Sequence, residues 1–139
     1  MSDGAPTDFL YNNARHLFAT AQLNWPTAAV NAMLVNNQYA PLLTDQYVSN
    51  IPASAIIVRD YALTNLGEKN GICYGTIPEW TGILTPYTVA AIVLYVKTAS
   101  DATSPLIYYS STGPGFPFVL QGFDYAVGFD QANGGYFQV

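Results

Sequence analysis

The sequence predicts an all-β protein: a single-domain β-sandwich, jelly-roll-like, of about seven to eight strands with one short N-terminal helix. Three observations lead there. Val89-Ala90-Ala91-Ile92-Val93-Leu94-Tyr95-Val96 is apolar at every position, so it lacks the alternation of a strand with one wet face and reads as a strand covered on both sides. Its β-branched and aromatic residues favour strand over helix. Short runs of the same character, parted by Gly, Pro, Asn and Asp, fill most of the remaining chain. No internal repeat or linker divides the 139 residues, so residues 1–139 form one domain, large enough to bury a core without metals or disulfides.

In chain order, Thr7 or Asp8 is placed to cap a helix, with Leu10, Ala14, Leu17 and Ala21 at i, i+4, i+7, i+11 and Phe18 beside them. Trp25-Pro26 ends it near Gln22, because a proline disfavours α geometry in the residue before it. Residues 1–25 are thus an N-terminal arm and helix, either plugging one end of the β-body or docking on a neighbouring subunit. Ala28 to Val35 is a first strand, closed by Asn36-Asn37. Gln38 to Ala55, with Pro41 and Pro52, is an irregular connection over the surface. Ile56 to Tyr61 is a second strand, and the Asn65–Gly71 turn leads to a third, Ile72 to Ile77.

A loop from Pro78 to Pro86 containing Trp80 precedes the central strand. Asp101-Ala102-Thr103-Ser104-Pro105 then turns the chain into Leu106-Ile107-Tyr108-Tyr109 as its partner; these side chains bond to nearby backbone, and the proline fixes φ. The Gly/Pro-rich stretch from Ser111 to Phe118 cannot continue a ladder. Phe123 to Phe129 alternates like a half-buried strand. Asn133-Gly134-Gly135 makes a tight turn into Tyr136–Val139.

The central unit also carries a resemblance. Val93 to Ile107, with Val-Leu-Tyr-Val running into Asp-Ala-Thr-Ser-Pro-Leu-Ile, resembles a family of small tailed-bacteriophage virion proteins. In that family a strand reading like "vvYkdtg" leads into "daTsPLI". Tyr11-Asn12, Leu23-Asn24-Trp25-Pro26-Thr27-Ala28 and Met33-Leu34-Val35 are similar to its opening. Tyr39-Ala40-Pro41 followed by Asp45-Gln46-Tyr47-Val48 is similar to its next segment. The likeness spans roughly two thirds of the chain in order. It implies a virion structural component: a head decoration or cement protein on the outer capsid surface, or a minor tail or head–tail junction protein. The implied partners are the major capsid protein and further copies of the chain, as a homotrimer matching capsid symmetry.

Composition bears on the same question. Charged residues are 9% of the chain, against about 25% in ordinary domains, while half is hydrophobic and 14% aromatic, the reverse of a disorder signature. Its polar surface must come from Asn, Gln, Ser, Thr and eleven Tyr, which cost less to desolvate than ions. Such a surface suits a protein covered by neighbours; it also suits a β-protein that is simply poor in charge. The net charge is −5, and Arg15, Arg59, Lys69 and Lys97 are scattered along the sequence, whereas nucleic-acid binding needs clustered cations. No nucleic-acid or membrane partner is expected: the longest apolar run is far short of the roughly 20 residues of a membrane span, and the acidic, polar opening is unlike a signal peptide. With one cysteine there is no internal disulfide, as befits a protein made in a host cytoplasm.

No active site, metal or cofactor is expected. His16 lacks the second ligand of an H-x-x-x-H spacing. Cys73, between Ile72 and Tyr74, reads as a small buried hydrophobe. Gly113-Pro114-Gly115 lacks the Lys-Ser/Thr ending of a phosphate loop. Asp101 is expected to cap its own turn, with Asp124 and Asp130 facing solvent. The candidate interface residues are Phe9, Tyr11, Tyr39, Tyr47, Trp80, Pro114, Phe116 and Phe118. The aromatics of the last third, Tyr108, Tyr109, Phe116, Phe118, Tyr125, Phe129, Tyr136 and Phe137, have three readings: core filling, a subunit interface, or a carbohydrate-stacking platform on a host-binding module.

Overall fold

A computed structural model describes residues 8–76, 79–80, 87–111, 118–120, 125–126 and 137–138. The protein is all-β with one helix. In order, the elements are β1 (Asp8–Leu10), α1 (Asn12–Ala19), β2 (Val30–Val35), β3 (Ile56–Ala62), β4 (Gly67–Lys69), β5 (Ile72–Tyr74), β6 (Glu79–Trp80), β7 (Tyr87–Val89), β8 (Ala91–Val96), β9 (Leu106–Ser110), β10 (Phe118–Leu120), β11 (Tyr125–Ala126) and β12 (Phe137–Gln138). A five-stranded antiparallel sheet runs β1-β9-β8-β2-β3, beside small sheets β12-β5-β4, β10-β7 and β11-β6.

The all-apolar run occupies the middle of this sheet. β8 pairs with β9 on one side and β2 on the other, with Val93 opposite both Tyr109 and Met33. Ala91 to Tyr95 are wholly buried, so both faces are covered, as the missing alternation requires. The strand is interrupted at Ala90, whose N–H bonds to the Val35 carbonyl (2.8 Å). On one face Tyr108 stacks on Phe137 at 4.9 Å, and Phe137 also meets Trp25 edge-on at 5.2 Å. On the other face Phe9 stacks on Tyr109 at 5.3 Å, and Tyr39 meets Tyr109 edge-on.

The helix is shorter than its apolar spacing suggests. Asp8 to Leu10 are not its first turn but an edge strand on β9, with Phe9 opposite Tyr109. A tertiary ladder overrides the local period there. The far end is set before Trp25-Pro26. Ala21 adopts φ 60°, its N–H bonds to the Phe18 carbonyl, and the Gln22 N–H bonds to the Leu17 carbonyl. That pair of bonds is a Schellman motif, with alanine where glycine is usual.

Two further expectations change. The Gln38–Ala55 connection is not merely superficial: Tyr39, Val48, Ile51 and Ala55 are buried in the main core. The Asn65–Gly71 turn tightens to Asn70 (φ 55°) and Gly71 (φ 83°), two positive-φ residues joining β4 to β5, as a type I′ hairpin demands. Within this hairpin Gly67 lies opposite Tyr74, whose ring occupies the space a Cβ on Gly67 would need. The Phe123–Phe129 and Tyr136–Val139 strands are seen as β11 and β12; their other residues, the Gly113–Pro117 stretch, and the Asn133–Gly135 turn lie outside the described residues. Phe118, assigned to a loop that breaks the ladder, instead begins β10 opposite Val89.

Candidate functional site

Four of the five candidate interface residues whose side chains are described point inward. Phe9, Tyr11, Tyr39 and Trp80 are buried in the core of the chain, so as folded they offer a partner little surface. Aromatic side chains fill cores as readily as interfaces, and composition alone does not separate the two. Tyr47 is half-buried, in an isolated bridge to Pro105. Pro114 and Phe116 lie outside the described residues, as does the side chain of Phe118. Of the last-third aromatics, Tyr108, Tyr109 and Phe137 are buried, so they form no sugar platform.

One polar constellation joins residues far apart in sequence. Arg59 forks onto Asp101, Nη1 to Oδ2 at 2.9 Å and Nη2 to Oδ1 at 2.7 Å, a bidentate geometry that suits a planar guanidinium. The Arg59 Nε–H donates to Asp60 Oδ1 at 3.2 Å, and Lys97 Nζ lies 2.9 Å from Asp60 Oδ2. The Tyr95 hydroxyl accepts from the Asp60 N–H and donates to its carboxylate. Arg59 also sits over the Tyr95 ring, 5.8 Å from its centroid.

A backbone irregularity creates this cluster. Between the Ala32–Tyr61 and Leu34–Val58 pairs the register slips, setting two residues of β3, Arg59 and Asp60, against one of β2. Asp60 takes φ 64°, the left-handed geometry that Asp tolerates better than most residues. The bulge turns a charged pair outward on what is, among the described residues, an edge strand. Bulges and charges are how natural sheets block unwanted edge pairing.

Electrostatics follow the geometry. Partial burial alone would raise the Asp60 carboxyl, but hydrogen bonds from Tyr95, Lys97 and Arg59 outweigh it and hold it at about 2. Asp101 is lowered chiefly by the Arg59 fork, and Arg59 is raised by the same bonds. Tyr95 is raised, first by burial and then by the Asp60 bond. The group is charge-balanced, and each ion is already matched. Asp101 therefore does not cap its turn: the Ser100 hydroxyl does, accepting from the Ala102 N–H at 3.2 Å.

A second polar chain is internal. The Tyr11 and Tyr39 hydroxyls meet at 2.8 Å, and Tyr39 donates to Asp45 Oδ2 at 2.8 Å. Burial raises both phenols, so they are neutral hydrogen-bonding groups rather than proton donors at ordinary pH. Asp45 Oδ2 also accepts from the Leu42 N–H at 3.1 Å, fixing a loop in which Leu42 and Leu43 are exposed.

Two further titratable residues, Cys73 and His16, lie apart from these clusters. Cys73 is buried, and burial, with Glu68 nearby, pushes its thiol up to about 12, opposite to what a nucleophile needs. His16 is exposed on α1. Among the described residues no three of His, Cys, Asp and Glu converge as a metal site, and no helix is long and apolar enough to cross a membrane.

The turn and loop motifs quoted above from separate parts of the chain meet in space. The Val48 N–H donates to the Ser104 carbonyl, and the Leu106 N–H to the Gln46 carbonyl, both at 2.9 Å. Asp45-Gln46-Tyr47-Val48 and Asp101-Ala102-Thr103-Ser104-Pro105-Leu106 thus form one hydrogen-bonded unit. No protein-family model, curated protein or solved structure matches the chain.

Sequence reasoning missed Arg59, Asp60 and Lys97 as a group. They are scattered in sequence, and only the sheet order, with β2 alone between β3 and β8, brings them within reach of one another. The adjacent Arg59-Asp60 pair inside an apolar run was the available signal, because a central strand would not carry it.

Proposed function

We propose that this chain is a non-enzymatic structural component of a bacteriophage virion: a head decoration or cement protein that binds the outer capsid and bridges major capsid protein subunits. The observation that carries the reading is a chain poor in ions, with charged residues only 9% of it. The chain has four basic and nine acidic residues, and Arg59, Lys97, Asp60 and Asp101 are matched among themselves. Neutral polar and apolar surface can be covered by a partner without the heavy cost of stripping water from charges. A protein that binds only the assembled shell stabilises it by mass action.

The likeness of Val93–Ile107 and Asp45–Val48 to phage virion proteins supports the same reading, the more so because their turn and loop portions form one structural unit. A minor tail or head–tail junction protein would share these properties, and copy number separates the two. The test is quantitative gel or mass-spectrometric counting of the chain in purified particles. Amounts comparable with the major capsid protein are expected. A few copies per particle would move the assignment to the tail, and absence from particles would overturn it.

A further inference from the structure

Among the described residues three large hydrophobic side chains are exposed: Leu42 at 60%, Leu43 at 39% and Tyr74 at 42%. They lie at two places, at opposite ends of α1. Leu42 and Leu43 project from a loop tied to the start of the helix, where the Asn12 N–H donates to the Leu43 carbonyl at 2.9 Å. Tyr74 adjoins the other end, its carbonyl accepting from Trp25 Nε1–H at 3.0 Å. There an open groove of about 420 Å³ is lined by Phe18, Leu23, Trp25, Pro26 and Cys73, with Glu68 on its wall.

From these we infer that the Leu42–Leu43 loop of one copy seats in the Phe18–Trp25–Glu68 groove of a second copy, so that the chain self-associates head to tail. The loop is built to project. The Leu42 N–H is bonded to Asp45 Oδ2 and the Asp45 N–H to the Leu42 carbonyl, so docking need not bury an unpaired group at either position. The buried Tyr11–Tyr39–Asp45 chain holds the loop in place before it binds, which reduces the ordering cost of association. The groove offers apolar walls and room for two leucine side chains.

Charge agrees with this pairing. Arg15, exposed in the first turn of α1, the end of the helix that holds the loop, is opposite in sign to Glu68, exposed on the wall of the groove. Within one chain loop and groove cannot meet: α1 is eight residues long, separating them by about 12 Å along its axis. Loop and groove on different copies would then make a heterologous contact, which closes into a ring or continues as a filament. The inference deepens the self-association implied above, but it requires nothing of the capsid.

The test is light scattering or sedimentation of the purified full-length chain with two variants. One is Leu42→Asp with Leu43→Ser; the other is Asn24→Arg, a substitution of an exposed residue that lays a long cation across the groove. The wild-type chain is expected to oligomerise with rising concentration. Each variant should weaken association by roughly 30-fold or more while keeping the wild-type melting transition. An equimolar mixture of the two should give a one-to-one dimer, because one variant retains the groove and the other the loop. A wild-type monomer at every concentration reached, or an oligomer indifferent to the leucine substitutions, would overturn the inference. So would a mixture of variants that fails to pair. None of these results would bear on whether the chain is found in particles.

Discussion

The Tyr95 hydroxyl both accepts from the Asp60 amide at 2.8 Å and donates to the Asp60 carboxylate, so one buried phenol on the central strand fixes a left-handed residue on the outermost strand. Tyr95 is the polar end of an otherwise apolar strand, and its ring supports the Arg59 guanidinium. Replacing it with Phe keeps the ring and removes both bonds, leaving the Asp60 amide unpaired at a strained position. Tyr95→Phe is expected to cost about 1–3 kcal/mol, read as a lower urea midpoint with an unchanged slope.

Acid should loosen the same place. The folded-state pKa of Asp60 is depressed to about 2, and that of Asp101 is lowered as well. A depressed carboxyl contributes stability that is fully present above the unfolded value near 4 and is lost as pH falls through the folded value. The wild-type melting temperature should therefore drop between about pH 4 and pH 2. Asp60→Asn should flatten part of that drop. An equal slope in the variant would remove Asp60 from the acid response.

Ala21 closes α1 at φ 60°, where an L side chain costs roughly 1–2 kcal/mol relative to the right-handed region. Ala21→Gly relieves that strain but adds freedom to the unfolded chain. The net expectation is a gain of about 0.5–1 kcal/mol, visible as a raised thermal midpoint. A loss would mean that the Schellman closure is not the helix stop.

Val93 lies at the centre of the five-stranded sheet with no exposed surface. An unpaired carboxylate there has no solvent and no cation. Val93→Asp should abolish folding, and soluble protein with a normal melting transition would take β8 out of the core.

The central hairpin was legible because its residues leave little choice: eight consecutive apolar side chains, then a turn of Asp, Thr, Ser and Pro. The Schellman stop at Ala21 was not, because alanine carries no sign of left-handed geometry. Nor was β1, since Asp8-Phe9-Leu10 pairs with a strand about a hundred residues away and local spacing fits a helix as well. The burial of several interface candidates was hidden for a related reason. Tyr11 and Tyr39 are polar-tipped aromatics, plausible at a surface, but their hydroxyls satisfy one another inside. Leu42 and Leu43, which are exposed, lie in the Gln38–Ala55 connection that the sequence already places over the surface.

The proposed covering of this ion-poor surface by a capsid is tested most directly by a density map of the intact particle. A β-body of this shape is expected on the outside of the shell, spanning adjacent major capsid subunits. Particles whose outer surface lacks it, with the chain present at the tail or missing altogether, would contradict the account.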